Sequence, residues 1–287
     1  MTPTQSDNVS LDPYSLVPDL KKLITQLGGQ DFGTPVFKPD ALAEFELLPY
    51  CLEATGVAFF EYIQVHNEVL NSVKPTPHAG VQSFGVGGKA RLSHTVDNFL
   101  EAAGRTQDAT THYFRRHYDL KLKTRQLDKL FRKLDKANSP EHLRKELSEY
   151  LNGLGSELRD YRNLSQHYPL ITSDPRVRTL EGDESLLSLL LPNNPRARPP
   201  TPLVYRRPNI HAPTYMRRVL FGLVRFCNQM CEILLDPNPP SYTVGVVRTR
   251  TPMIIGGPFH GVCALDPAKE AQQLRRFVET KGKEVPR

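Results

Sequence analysis

Residues 139–168 read SPEHLRKELSEYLNGLGSELRDYRNLSQHY and contain the most regular helical pattern in the chain. Ser139 can cap a helix, Pro140 suits its first position, and Pro169 ends it just beyond His167. Between these ends, apolar side chains recur every three or four residues, as on the buried face of an amphipathic helix: Leu143, Leu147, Leu151, Leu154, Leu158 and Tyr161. The stretch therefore predicts one long helix in a mainly α-helical protein.

Two glycines, Gly153 and Gly155, interrupt this periodic stretch. Inside a helix each costs about 1 kcal/mol relative to alanine, so their presence needs a structural reason. A close crossing with another helix is such a reason, because glycine lets two backbones approach each other. We predict a close crossing here, and the contact between two protomers of a dimer is one place for it.

The composition is that of a globular chain with a mild positive bias. The 287 residues are 39% hydrophobic and carry a formal net charge of +6, which suits a polyanionic partner but is also common without one. No apolar run approaches the roughly 20 residues of a membrane span. We therefore expect a cytoplasmic protein that makes no membrane contact.

The candidate metal ligands and nucleophiles do not form a known catalytic pattern. The four cysteines contain no CxxC pair, so we interpret them as buried free thiols and not as a metal site or a disulfide: Cys51, Cys227, Cys231 and Cys263. No Ser-His-Asp, HExxH or GxSxG pattern occurs. We expect neither a metal nor a cofactor.

Proline and glycine clusters divide the chain into three predicted parts. Residues 1–39 form a polar N-terminal arm, in which residues 18–27 are a short amphipathic element that packs on the body or reaches a partner. Residues 40–235 form a bundle of four or five helices with a β-hairpin near 176–191. Residues 236–287 form a small, β-containing C-terminal extension.

Three more segments have helical apolar spacing and are expected to complete the bundle. The first covers residues 40–73, where Pro49 bends or divides it. The second begins at Ser93 as its cap and runs to residue 118, and the last runs from the cap Thr214 to residue 235. The glycine-rich residues 74–90 do not have the order of a phosphate-binding P-loop, so we expect a flexible connection there.

The end of the 139–168 helix carries the residues that are best suited to chemistry. Arg162 offers a planar fork of donors that can hold a phosphate, and the imidazole of His167 can take or give a proton. Asp160 and Asn163 are three residues apart, and Asn163 and His167 are four apart, so the three share a helix face. Asp160 and Asn163 are thus candidates to orient the His167 imidazole.

The order Arg162, Asn163, three variable residues and His167, late in a helix, resembles the motif of the HEPN superfamily. The resemblance implies an α-helical bundle that forms a homodimer, with two motifs facing one cleft. It also implies metal-independent RNA cleavage in toxin or defence settings, with a regulatory protein partner as a further expectation. His167 would then act as general base or acid, Arg162 would stabilise the phosphorane, and Asp160 and Asn163 would complete the catalytic set.

A basic run precedes the periodic helix and is the candidate RNA-binding surface. Arginine and lysine contacts to phosphates supply most non-specific nucleic-acid affinity. The candidate residues are Arg115, Arg116, Lys121, Lys123 and Arg125. A run of this kind also occurs as a solvated surface with no ligand.

Two other interpretations of the motif stay open. Arg162 and His167 can be ordinary surface cations near a helix C-terminus. The chain can also be a non-catalytic, dimeric binding partner for RNA or protein. For the ribonuclease, we expect replacement of either Arg162 or His167 by alanine to remove cleavage and to leave the melting temperature nearly unchanged, because exposed polar side chains contribute little to stability.

Overall fold

The computed structural model describes residues 39–73, 82–117, 127–134, 141–179, 185–206 and 208–235. At some of these positions, most of them near segment ends, it describes only the backbone. The described part is mainly helical and contains a few short antiparallel strands. Nearly all of the predicted N-terminal arm and the whole C-terminal extension lie outside these residues. Among the described helices, none is long and apolar enough to cross a membrane.

The helices are α1 (Pro39–Asn71), α2 (Lys89–His117), α3 (Leu127–Leu134), α4 (Glu141–Asn152), α5 (Leu154–Ser165) and α6 (Ala212–Leu235). Helix α1 passes through Pro49 without a break, so the predicted division there is wrong. Helix α2 begins four residues before Ser93, which is buried within it and hydrogen-bonded to Thr172. Ser93 is therefore a core contact and not the predicted cap. Helix α3 was not predicted, and its Leu130 and Leu134 are fully buried.

One hydrophobic core joins α1, α2, α4, α5 and α6, and the apolar periodicity of the sequence identifies most of it. On α6, the sequence predicts seven inward residues, of which Leu234 lies where side chains are not described and the other six are buried: Met216, Leu220, Leu223, Val224, Cys227 and Met230. In the buried interface of α1 and α2, the Thr55 hydroxyl lies 2.9 Å from that of Thr106. Burial of such apolar faces is the main force that assembles helices into a bundle.

The predicted 139–168 helix is two helices that meet at Gly153. Gly153 is exposed, whereas Gly155 is buried against the ring of Tyr150 from the preceding helix. A Cβ atom on Gly155 would lie 2.5 Å from Cε1 of Tyr150. The Tyr150 ring in turn stacks on Phe226 with centroids 3.9 Å apart. The close approach that the glycines predicted is thus made between α4 and α5 of one chain.

The predicted hairpin is present and belongs to a sheet of three strands. β2 (Arg176–Thr179) pairs antiparallel with β3 (Ser185–Ser188), with Arg176 opposite Ser188. β1 (Gln82–Gly85) adds to the other edge of β2 with Gly85 opposite Arg176, so part of the expected flexible connection is a strand. A second ladder joins β4 (Leu190–Leu191) to β5 (Ile210–His211).

The proline-rich segment 192–209 is an ordered loop, held by asparagine side chains. Asn193 donates to the carbonyl of Pro208 and accepts from the amide of Arg206 at 2.6 Å. Asn194 accepts from the amide of Val204 at 2.9 Å. These hydrogen bonds take the place of backbone-to-backbone hydrogen bonds, because the prolines in this segment have no N–H group to donate. The loop therefore has a defined position beside α5.

Candidate functional site

Helix α5 positions the candidate motif by burying its opposite face. Leu158, Tyr161 and Leu164 recur every three residues and are almost completely buried. The Tyr161 hydroxyl donates to the carbonyl of Pro192 at 2.8 Å and so joins α5 to the ordered loop. The rotation of α5 is fixed by these contacts, and Arg162 is directed toward α2.

The guanidinium of Arg162 is held by two carboxylates of α2. Its Nε and Nη2 donate to the two carboxylate oxygens of Glu101 at 2.9 and 3.1 Å, and its Nη1 donates to Asp108 at 3.0 Å. The side chain crosses α2 at Gly104, where a Cβ atom would lie 2.5 Å from Cδ of Arg162. Only 23% of the side chain is exposed. Arg162 is therefore not the exposed residue that the sequence predicted.

The charges around Arg162 cancel. Arg105 lies 3.5 Å from Glu101, so two arginines face the carboxylates of Glu101 and Asp108. The hydrogen bond from Arg162 is the main reason that the pKa of Glu101 lies below its ordinary value, although partial burial opposes this shift. A charged hydrogen-bonded pair of this kind is strongest where water is partly excluded. The cluster joins α2 to α5 and carries no net positive charge for a phosphate.

The other predicted catalytic residues have different contacts and exposures from Arg162. Asp160 accepts a hydrogen bond of 2.7 Å from Nε of Arg196 in the ordered loop. Asn163 is partly exposed, and His167 is exposed in the turn that follows α5. In the described part of the chain, no hydrogen bond links His167 to Asp160, Asn163 or Arg162.

The predicted basic run lies mostly outside the described residues. Arg115 and Arg116 are in the last turn of α2, where only the backbone is described, and Lys121, Lys123 and Arg125 are not described. Among the described residues, the ordered loop instead carries three exposed arginines: Arg196, Arg198 and Arg206. In the sequence, only the density of arginine and proline indicated that this segment could bind a ligand. That composition did not indicate that the loop has a fixed shape.

A shallow cavity of about 760 Å³ lies between the ordered loop and α5. Glu157 and Asp160 line its α5 side, and Arg196 and Arg198 line its loop side. Glu157 is paired with Arg218 of α6. The side chains of Arg196 and Arg218 are 78% and 55% exposed, so their cationic groups reach solvent while they hold these carboxylates. The described residues contain no group of three His, Cys, Asp or Glu side chains placed to hold a metal.

Asp97 lies one turn before Glu101 on α2, and its pKa is raised to about 7 by burial. Its Oδ1 atom is buried and has no hydrogen-bond partner in the described structure. The folded state therefore binds a proton more tightly than the unfolded state, and stability falls as pH rises from about 4 to about 7.

Asp97→Asn should remove this dependence. We expect the variant to be more stable than the wild type by about 1–2 kcal/mol at pH 8 and equally stable at pH 4. The expected gain is smaller than the pKa shift alone would give, because the carboxyl is partly exposed to solvent. Urea unfolding at both pH values measures the difference. An equal effect at both values would show that Asp97 stays ionised in the folded protein.

A scan against models of protein families found no match to this chain, and neither a search of curated proteins nor a search of solved structures found one.

Proposed function

We propose that this chain is a non-catalytic RNA-binding protein whose contact surface is the ordered loop beside α5. The observation that carries the proposal is the position of Arg162. Its guanidinium already makes three hydrogen bonds to Glu101 and Asp108. A phosphate would have to displace two carboxylates, and these would repel it at close range. In this proposal, Arg162 therefore stabilises the fold, and other cationic side chains bind the RNA.

The ordered loop supplies cations that are both exposed and fixed in place. Arg198 and Arg206 are exposed, and Arg196 is 78% exposed although its Nε donates to Asp160. The side chains of Asn193 and Asn194 hold the backbone of the loop. Arginines on a rigid backbone lose less conformational entropy when they meet a phosphate. Their fork geometry suits phosphate oxygens. Together with the net charge of +6, this supports a polyanion, and we infer single-stranded RNA as that polyanion.

Replacing Arg196, Arg198 and Arg206 with glutamine should weaken binding to a fluorescent single-stranded RNA. About three phosphate contacts would be lost, so the slope of log Kd against log salt should fall by about 2, and affinity near 0.1 M salt should fall by about tenfold or more. The loss should be similar for RNAs of different sequence, because phosphates carry no sequence information. Fluorescence anisotropy over a salt series measures both effects.

The matched control replaces three exposed cations on other elements with glutamine: Lys133, Lys145 and Arg225. It changes the net charge by the same amount, so it separates local contacts from the general charge effect. We expect it to retain most of the salt slope. An identical loss in the two triple variants, or RNA binding that the loop variant leaves unchanged, would contradict the assignment of the loop. An acidic protein would then be the partner to test.

A ribonuclease of the HEPN type is the second candidate, and the exposure of His167 is the observation that favours it. A solvent-reachable histidine can act on a ribose hydroxyl, and a homodimer would supply the second proton-transfer group. The same RNA, kept with the protein in EDTA and run on a gel, distinguishes the two candidates. The first proposal expects RNA of full length. Cleavage that is lost in His167→Ala would establish the second.

A further inference from the structure

Helix α1 presents an apolar face to solvent along its N-terminal half. Three of the five large apolar side chains that are exposed in the described part of the chain lie here: Leu47 at 54%, Tyr50 at 56% and Val57 at 44%. The exposed Ala54 lies between them. At 100° per residue, these four positions fall within about 80° of one another around the helix, and they extend over roughly 15 Å. This face, residues 47–57, is a continuous stripe.

Two carboxylates lie beside the stripe. Glu53 flanks it near the middle, and the exposed Glu61 continues it one turn beyond Val57. The stripe therefore suits an amphipathic helix of about ten residues with lysine or arginine beside its apolar side, because such a helix would bury the apolar side chains and place cations near the carboxylates.

The chain itself contains a segment with these properties. In residues 18–27, the apolar residues Leu20, Leu23, Ile24 and Leu27 have the spacing i, i+3, i+4 and i+7. Lys21 lies about 60° beyond the edge of this apolar side and supplies a cation, whereas Lys22 lies on the opposite side of the helix. As a helix this segment would also be about 15 Å long. Its sequence ends at Gly28 and Gly29, which suit a helix C-terminus.

We infer that residues 18–27 dock as a helix on residues 47–57 of α1 in the same chain, antiparallel to it. Residues 28–38 would be the connection. Eleven residues can span up to about 36 Å. Two packed helices are only about 8–10 Å apart, and residue 47 lies about 12 Å along the axis from the start of α1. The connection is therefore long enough.

The length of the connection favours the antiparallel direction. An antiparallel helix that places Leu27 near Leu47 ends about 12 Å along the axis from the start of α1, and it brings Lys21 level with Glu53. A parallel helix that places Leu20 near Leu47 would end near residue 54, so the connection would have to span about 22 Å along the axis. The docking would add one amphipathic helix to the bundle and would cover its largest exposed apolar stripe among the described residues.

Disulfide trapping in the full-length chain tests the docking. Cys51, Cys231 and Cys263 are replaced by serine, the buried Cys227 is kept, and cysteines are introduced by Ile24→Cys and Tyr50→Cys. Docking within one chain gives a high effective concentration, so the trapped species should form at least about tenfold faster than in the control pair Ile24→Cys with Lys145→Cys. Thiol titration and gel mobility without reductant measure the rate.

Charge exchange gives a second measurement. Lys21→Glu should slow trapping severalfold, and adding Glu53→Lys should restore it. A trapped dimer instead of a closed monomer would mean that the stripe binds a second copy, and would overturn docking within the chain. Trapping no faster than the control pair would overturn it as well. Circular dichroism confirms that each variant is folded before its rate is compared.

Discussion

Arg162→Ala is expected to lower the free energy of unfolding by about 3 kcal/mol, the largest effect of any polar substitution considered for this protein. The variant leaves the partly buried carboxylates of Glu101 and Asp108 without the guanidinium that they share. Removing one partner of such a cluster costs more than the pair itself contributes, because the remaining charges stay desolvated. The partial exposure of the cluster keeps the value near the lower end of the range for buried pairs.

The matched control is Arg91→Ala, which removes the same side chain from the pair with Glu68, whose two side chains are 59% and 57% exposed. Its cost should be below about 1 kcal/mol. His167→Ala should be nearly neutral, because the imidazole is exposed. Urea unfolding at neutral pH compares the three variants. Equal effects of Arg162→Ala and Arg91→Ala would show that the Arg162 cluster contributes little, and would reopen a phosphate-binding role for its guanidinium.

The same cluster predicts a pH dependence for the Arg162→Ala deficit. Because the pKa of Glu101 is lowered in the folded state, its contribution is present above its ordinary pKa and is lost as pH falls through the folded value. The difference between wild type and Arg162→Ala should therefore shrink below about pH 4, where carboxylates become protonated. A difference that grows in acid would contradict the assignment of Glu101 as the main partner.

Gly155→Ala should cost about 2–3 kcal/mol, although alanine is the better helix former by about 1 kcal/mol. The new methyl group would lie 2.5 Å from Cε1 of Tyr150 and 3.1 Å from the Tyr150 carbonyl oxygen. The ring cannot move away freely, since it stacks on Phe226 and its hydroxyl donates to Gln107 at 3.0 Å. The strain therefore spreads from the α4–α5 junction to α2 and α6.

Gly87→Ala is the control for this substitution, because nothing lies within 4 Å of the Cβ position there. Thermal and urea unfolding should separate the two variants clearly. Sedimentation analysis tests the other location considered for these glycines, a contact between two protomers of a dimer. A change of oligomeric state in Gly155→Ala without loss of stability would support the dimer contact over the contact within one chain.

Local sequence patterns predicted the elements of this fold better than they predicted contacts between residues far apart in the sequence. The inward residues of α5 and α6 could be predicted because the 3.6-residue period is a property of the helix itself, and burial of one face follows from it. The hairpin of β2 and β3 was predictable for a similar reason, since its two strands are close in sequence and alternate in character. The third strand, β1, was missed because a four-residue strand exists only through its pairing with β2.

The break at Gly153 and the position of Arg162 were decided by tertiary structure. The spacing from Leu143 to Tyr161 continues across Gly153, so the pattern alone could not distinguish one helix from two. The partners of Arg162 lie 61 and 54 positions away in the sequence. Glu101 and Asp108 reach it only because α2 and α5 pack together at Gly104, and long-range packing of this kind leaves no periodic signal. The sequence determined that Arg162 is a cation on a helix, and the fold determined which anions neutralise it.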